Sequence, residues 1–475
     1  MDNKKILSGV KWAGIQVILD TALRFSVRLI LAKLLLPKEF GLVAMCMVFI
    51  AVAEATSELG MGAALIQKKR VEENGTMYST AFWSGILWGV FVFAIMSFLI
   101  APFAAFFYDE PLLIKIVPLL SLGILFKPLG LIHIVKLTRA MEFKKIARAY
   151  NTSALIAGVT GILCAYFGMG VWALVIHQVL SSILALPLLY FAISWKPIFV
   201  WNQKNFKEIF GFGAYSTGTR IFSTLTYNID NLMIGKILGA SLLGSYSLAF
   251  SLTENLRQII SDVLNKVMYP VFSQSQDDKV RLRSYFLNII NINAITIYPL
   301  MTFLFLFGDD IIRGFFGSRW EDAIVPLKIL AIAMMIHLLV NSFTSLIRGM
   351  GKPKLEMKII IGLTIFVLLP GLYIGIKYFG LIGAAFAILI NKVALAIVGL
   401  SVLNKEIGLS TITVFKTIKN AVLAIFTAAA PVVLFRDIMG FEETLIFLLC
   451  FIFLYLGIIF LLERQNLKHL LKKLN

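Results

Sequence analysis

Apolar runs of about twenty residues follow one another along almost the whole chain, and short polar links separate them. Twenty residues at a helical rise of about 1.5 Å span the hydrocarbon core of a bilayer, so each run predicts one membrane crossing. About fourteen helices result. The first six fall at approximately 10–36, 40–67, 78–106, 112–137, 146–167 and 170–195. The next six fall at approximately 207–238, 241–272, 284–308, 322–347, 355–378 and 380–403, and the last two at 413–435 and 443–463. The pattern therefore predicts an all-α, polytopic membrane protein.

The links between the runs test this count. Those after odd-numbered helices are short (37–40, 108–111, 168–170, 239–241, with 308–321 somewhat longer), and those after even-numbered helices are basic. Lys68, Lys69 and Arg70 open the basic series; Arg139, Lys144 and Lys145, then Lys279, Arg281 and Arg283, continue it. With both termini included, about 28 basic residues fall on one side, against Lys38, Arg313, Arg319, Lys377 and Arg436 on the other. Cytoplasmic loops carry the excess of lysine and arginine, so both termini are expected in the cytoplasm of a bacterial-type inner membrane. A miscounted helix would scramble this alternation.

Composition agrees. Of 475 residues 59% are hydrophobic and 15% charged, where a soluble domain carries about 25% charged residues. The net charge of +18 does not indicate nucleic acid, because the basic residues sit in clusters between apolar runs and not along one polar face. Cys46, Cys164 and Cys450 lie in apolar segments without disulfide or metal spacing and read as small core residues. The first segment holds Asp20, Arg24 and Arg28 and has no small-residue cleavage site after it, so it reads as a retained helix and not a signal peptide.

A repeat is also visible. Leu31-Ala-Lys33-Leu-Leu35, followed by Phe40-Gly41, returns 203 residues later as Ile234-Gly-Lys236-Ile-Leu238, followed by Leu243-Gly244. Gly168–Ala173 is echoed at Gly380–Ala385, and Arg139-Ala-Met141 more weakly at Arg348-Gly-Met350. Six helices separate the copies, so both enter the membrane in the same sense. Two lobes are expected, 1–200 and 201–408, with 409–475 forming two appended helices and a basic tail. Transporters built from such repeats carry their substrate path between them.

Ionisable residues at membrane depth concentrate on four helices: the first, second, seventh and eighth. The first carries Asp20, Arg24 and Arg28 at spacings of four, hence on one face. The second carries Glu54 and Glu58; the seventh Arg220, Asn228, Asp230 and Asn231; the eighth Glu254, Arg257, Gln258, Asp262 and Lys266. A charge at bilayer depth costs at least about 2.5 kcal/mol, so these faces are expected to turn onto a shared wet cavity and not onto lipid. The competing reading is a set of ion pairs locking the bundle. Arg24, Arg28, Arg220 and Arg257 offer planar donor forks suited to phosphate oxygens, with Asn228 and Asn231 as neutral partners. Asp20, Glu54, Glu58, Asp230 and Glu254 are the candidates to bind a coupling proton or sodium ion, or to gate by holding the arginines.

Other signals are weak. Lys115, Lys127, Lys328 and Lys392 are single charges near apolar flanks, read as snorkelling or as minor cavity groups. His133, His177 and His337 are alone in separate helices and read as packing or helix–helix hydrogen-bonding residues. Gly371-x-x-x-Gly375 and Gly235-x-x-x-Gly239 allow close helix contact. There is no glycine-rich phosphate loop followed by lysine, no nucleophile with a partnered base, and no loop long enough for a catalytic domain; no enzyme activity and no cofactor are expected.

Several stretches carry a family resemblance: Ala32-Lys33-Leu-Leu-Leu-Pro37-Lys-Glu-Phe40-Gly41, Glu58-Leu-Gly60-Met-Gly62-Ala-Ala-Leu65-Ile-Gln67, Gly170-Val-Trp172-Ala-Leu-Val175 and Tyr269-Pro-Val-Phe-Ser273. In their order and spacing the chain resembles the Wzx-type polysaccharide repeat-unit flippases of the multidrug/oligosaccharidyl-lipid/polysaccharide exporter superfamily, the colanic-acid-exporter-like subgroup above all. The resemblance implies two six-helix lobes alternating between inward- and outward-open states. It implies an undecaprenyl-diphosphate-linked oligosaccharide as substrate, membrane lipids as surroundings, a polysaccharide polymerase as a further partner, and no nucleic acid. Drug antiport and flipping of the peptidoglycan precursor are the alternatives within the superfamily.

Overall fold

In a computed structural model the described residues are 3–57, 60–68, 76–435 and 450–462, and they are helical almost throughout. Thirteen of the helices are α1 (Asn3–Leu34), α2 (Pro37–Ser57), α3 (Met61–Gln67), α4 (Thr76–Tyr108), α5 (Leu113–Arg139), α6 (Phe143–Tyr166), α7 (Val171–Ala192), α8 (Gln203–Tyr227), α9 (Ile229–Gln274), α10 (Lys279–Phe316), α11 (Ser318–Gly349), α12 (Pro353–Ile407) and α13 (Thr411–Phe435). A shorter apolar helix, α14, covers Cys450–Leu462. Among the described residues nine helices are long and apolar enough to cross a membrane. α1 and α6 are as long, but they carry more charge or polar surface and miss that threshold.

The boundaries differ from the expected ones where backbone conformation overrides hydropathy. The second predicted helix is two, because Gly60 (φ 68°) breaks it between α2 and α3. The expected link 239–241 is the single residue Gly239 (φ 82°), and Gly380 (φ 59°) divides α12 in the same way. Both sit in the left-handed region that glycine enters without a β-carbon clash. The link expected at 308–321 is wound into helix on either side of Gly317 (φ 91°).

The described chain divides after Ser247 into two compact units. In the first, α6 packs along α1 and α7, α4 lies on α5, and α8 lies against α2, α3 and α4. One core there gathers Met61, Leu65, Met77, Phe82, Leu131 and Ile132, with Trp83, Trp88 and Trp195 at its margin. Helices approach closely where glycine or proline permits, as with the Pro128 ring 3.2 Å from the β-carbon positions of Gly85 and Gly89. In the second unit α11 packs on α12, while α10 lies on α11 and α13. The hydroxyl of Tyr455 on α14 donates to the carbonyl of Ile295 at 2.7 Å. The Gly371-x-x-x-Gly375 pattern lies at the contact between the two halves of α12, where a β-carbon on Gly375 would stand 2.5 Å from the carbonyl oxygen of Gly383. The outer surface is that of a membrane protein: Phe106, Phe191 and Phe366 are each at least 80% exposed, in a chain of mean hydropathy +0.88.

The isolated residues mostly resolve into packing. His133 is fully buried, with its ring 3.9 Å from that of Tyr190 and 5.5 Å from that of Trp195. The β-carbon of His177 covers Gly161. Cys46 is buried, whereas Cys450 is exposed on an apolar helix and is not a core residue.

Candidate functional site

The polar face of α1 forms as its spacing requires. Arg24 Nε donates to both carboxylate oxygens of Asp20 at 3.0 Å, one helical turn away. The pair is not sealed: its side chains keep 40% and 28% of their exposure. His177 lies within electrostatic reach of Arg24. One turn further, Arg28 reaches across to α9, where its Nη2 donates to Ser247 Oγ at 2.8 Å and to the Ser247 carbonyl at 3.4 Å. Glu54 is half-buried on α2. Glu58 lies outside the described residues, as do the side chains of Asp262 and Lys266.

On α8 the side chain of Arg220 is exposed. Asn228 caps the C-terminus of this helix, and its Nδ2 donates to the Thr224 carbonyl at 2.8 Å. Asp230, in the first turn of α9, is 4% exposed. It accepts hydrogen bonds from the Tyr246 hydroxyl at 2.7 Å and from the Asn231 backbone N–H at 2.8 Å. Asn231 itself is half-buried.

The second unit holds a tighter cluster. Glu254 and Arg257, three residues apart on α9, form a bidentate pair at 2.6 and 3.0 Å, with side chains only 5% and 10% exposed. Gln258 Nε2 donates to the same carboxylate at 3.1 Å, and Arg257 Nη1 donates to Asn341 Oδ1 on α11. Lys392 of α12 and His337 of α11 lie within electrostatic reach.

The structure thus unites Asp20 with Arg24 and Glu254 with Arg257. It gives Arg28 and Asp230 the partners Ser247 and Tyr246, and it leaves Arg220 apart from these contacts. Sequence reasoning found the charged positions and missed Ser247, Tyr246 and Asn341, which are neutral residues in apolar helices without a distinguishing spacing. Arginines held this way can exchange a carboxylate or carbonyl partner for a phosphate oxygen at little geometric cost, because the donor fork is the same.

A multi-pass helical membrane protein with arginine–carboxylate pairs and buried polar clusters on its helices is the class this fold defines. Across 96% of this chain and 99% of the other, it superposes on the lipid II flippase MurJ, inward closed conformation, with a TM-score of 0.76 at 16% identity. It matches an inward-facing multidrug resistance MATE family transporter of the MOP superfamily with a TM-score of 0.62 at 15% identity, over 83% and 94% of the two chains. At those identities the likeness carries the fold alone. The chain belongs to the family described as polysaccharide biosynthesis protein, whose model matches residues 30–326. Its relatives include the teichuronic acid biosynthesis protein TuaB of Bacillus subtilis, 28% identical over 93% of this chain and 90% of that one. The lipopolysaccharide biosynthesis protein WzxC of Escherichia coli is 25% identical over 85% and 82%.

Proposed function

We propose that this protein flips undecaprenyl-diphosphate-linked oligosaccharide repeat units from the cytoplasmic to the periplasmic leaflet during polysaccharide biosynthesis. The observation that carries the reading is membership of a polysaccharide biosynthesis family by a chain with nine helices, among the described residues, long and apolar enough to cross a membrane, and with relatives named for teichuronic acid and lipopolysaccharide biosynthesis. The diphosphate is strongly anionic and the glycan polar, so neither crosses hydrocarbon unaided. Arg24, Arg28, Arg220 and Arg257 supply forks for the diphosphate, with Asn228 and Asn231 for sugar hydroxyls, while the polyprenyl tail stays in lipid.

In this reading fourteen crossings form lobes 1–200 and 201–408, with 409–475 appended, in a bacterial inner membrane with both termini cytoplasmic. The lobes rock around the substrate by alternating access. A proton or sodium gradient resets them through one of Asp20, Glu54, Glu58, Asp230 and Glu254. A polysaccharide polymerase receives the product. Likeness in fold to a lipid II flippase and to drug transporters does not choose among substrates, whereas membership of a polysaccharide biosynthesis family supports the lipid-linked glycan.

The test is leaflet-resolved. Proteoliposomes loaded with undecaprenyl-diphosphate oligosaccharide are treated with an impermeant glycan-oxidising reagent. The protein should expose the inner-leaflet pool well above the rate of empty liposomes, and Arg24→Ala should abolish this while still inserting. Equal rates with and without protein would overturn the reading.

A further inference from the structure

The repeat unit acquires a geometric meaning at the start of α2 and at the Gly239 break in α9. Under the 203-residue shift Pro37 corresponds to Ala240, Lys38 to Ser241 and Gly41 to Gly244. These equivalent residues touch each other reciprocally. A β-carbon on Gly41 would stand 1.7 Å from the carbonyl oxygen of Ala240, and one on Gly244 would stand 1.8 Å from the carbonyl oxygen of Pro37. Gly41 thus receives the backbone of Ala240, and its equivalent Gly244 receives that of Pro37, the equivalent of Ala240, as a local two-fold axis requires. No side chain stands between the two helices at this point, and Leu35, Phe40, Leu42 and Leu243 around it are buried. Seven residues past Ala240, or about 10 Å deeper along the helix, Ser247 accepts the hydrogen bonds from Arg28.

We propose that this glycine crossing is the outer gate of the transport path, with Arg28–Ser247 as its latch. The proposal rests on the transport reading and on the sidedness of the basic loops, which puts residues 35–41 and 239–244 at the exterior edge. Backbone seated on backbone makes a thin seal, and at the glycine contact itself no side chain must move aside for it to part once the Arg28 latch is released. Arg28 belongs to the face proposed to bind the diphosphate. When its guanidinium turns to phosphate it gives up Ser247, so arrival of the anion and release of the seal become one event. The two glycines are required at this spacing because any side chain would hold the seal ajar.

The test uses the full chain with Cys46, Cys164 and Cys450 replaced by alanine. Lys38 and Ser241 are exposed and flank the seal on either helix. The K38C/S241C protein, spanned by a reducible bifunctional thiosulfonate after folding, should lose at least nine-tenths of its flipping and regain it on reduction. Linked protein flipping at the unlinked rate would overturn the gate, whereas absence of flipping before linking would count against the transport reading instead. A second arm needs no transport. Ser245 is fully buried one residue past Gly244. Labelling of S245C by an impermeant thiol reagent from outside should rise about tenfold in Gly244→Ala and several-fold in Ser247→Ala. Labelling unchanged in both, with both proteins inserted, would also overturn the gate.

Discussion

Replacing both members of the Glu254–Arg257 pair separates a lock from a functional group. Their side chains are at least nine-tenths buried and joined at 2.6 and 3.0 Å. At an effective dielectric near 20, unit charges about 4 Å apart attract by roughly 4 kcal/mol. Removing one partner leaves the other charged in a dry site, which typically costs about 3–5 kcal/mol. Glu254→Met and Arg257→Met should each destabilise by that amount. The double variant, with two apolar side chains of similar length, should lie within about 1 kcal/mol of wild type, because neither member of the pair is left charged without the other. Unfolding in bicelles by steric trapping measures all four proteins of the cycle, and the liposome assay measures their transport. A pair that serves the substrate gives a double variant that is stable and inactive, and one that only locks the bundle gives a stable, active one. A double variant as unstable as the worse single would refute the assignment of a mutually dependent buried pair.

The remaining pairs scale with their exposure and geometry. Asp20→Asn should change stability by less than about 1 kcal/mol, as expected for a half-exposed ion pair, while lowering transport; the same bicelle and liposome measurements decide it. Tyr246→Phe withdraws a hydroxyl from buried Asp230 and should cost about 1.5–3 kcal/mol in the bicelle assay, as loss of a hydrogen bond to a charged acceptor does. Gly383→Ala would place a methyl 2.0 Å from the Gly375 carbonyl oxygen, and rigid backbone cannot yield, so about 3 kcal/mol or more is expected. Gly158→Ala meets only the Val27 side chain, at 2.5 Å, and should cost about 1 kcal/mol, because a methyl branch can move; equal melting losses for the two would contradict this contrast.

Much of this architecture is written in the hydropathy of the chain. Twenty-residue apolar runs must become helices in lipid, where every backbone group needs an internal partner, and so the membrane class and the approximate spans follow from local composition. The i,i+4 spacing of Asp20 and Arg24 and the i,i+3 spacing of Glu254 and Arg257 likewise fix pairs on a single helix, because helical geometry alone brings them together. Local sequence could not announce that Gly60 would break a predicted helix, or that the expected 308–321 link would wind into helix around Gly317. Both depend on how packed neighbours hold a backbone dihedral. Nor could it supply the partners drawn from elsewhere in the chain. Ser247 lies 219 residues from Arg28, and Asn341 lies 84 from Arg257. Such a neutral residue in an apolar helix has no pattern of its own until packing selects which side chain it faces. Sequence decides which residues must be helical and which must avoid lipid. Tertiary packing decides whom each polar group meets, since that depends on distances between helices that no local periodicity encodes.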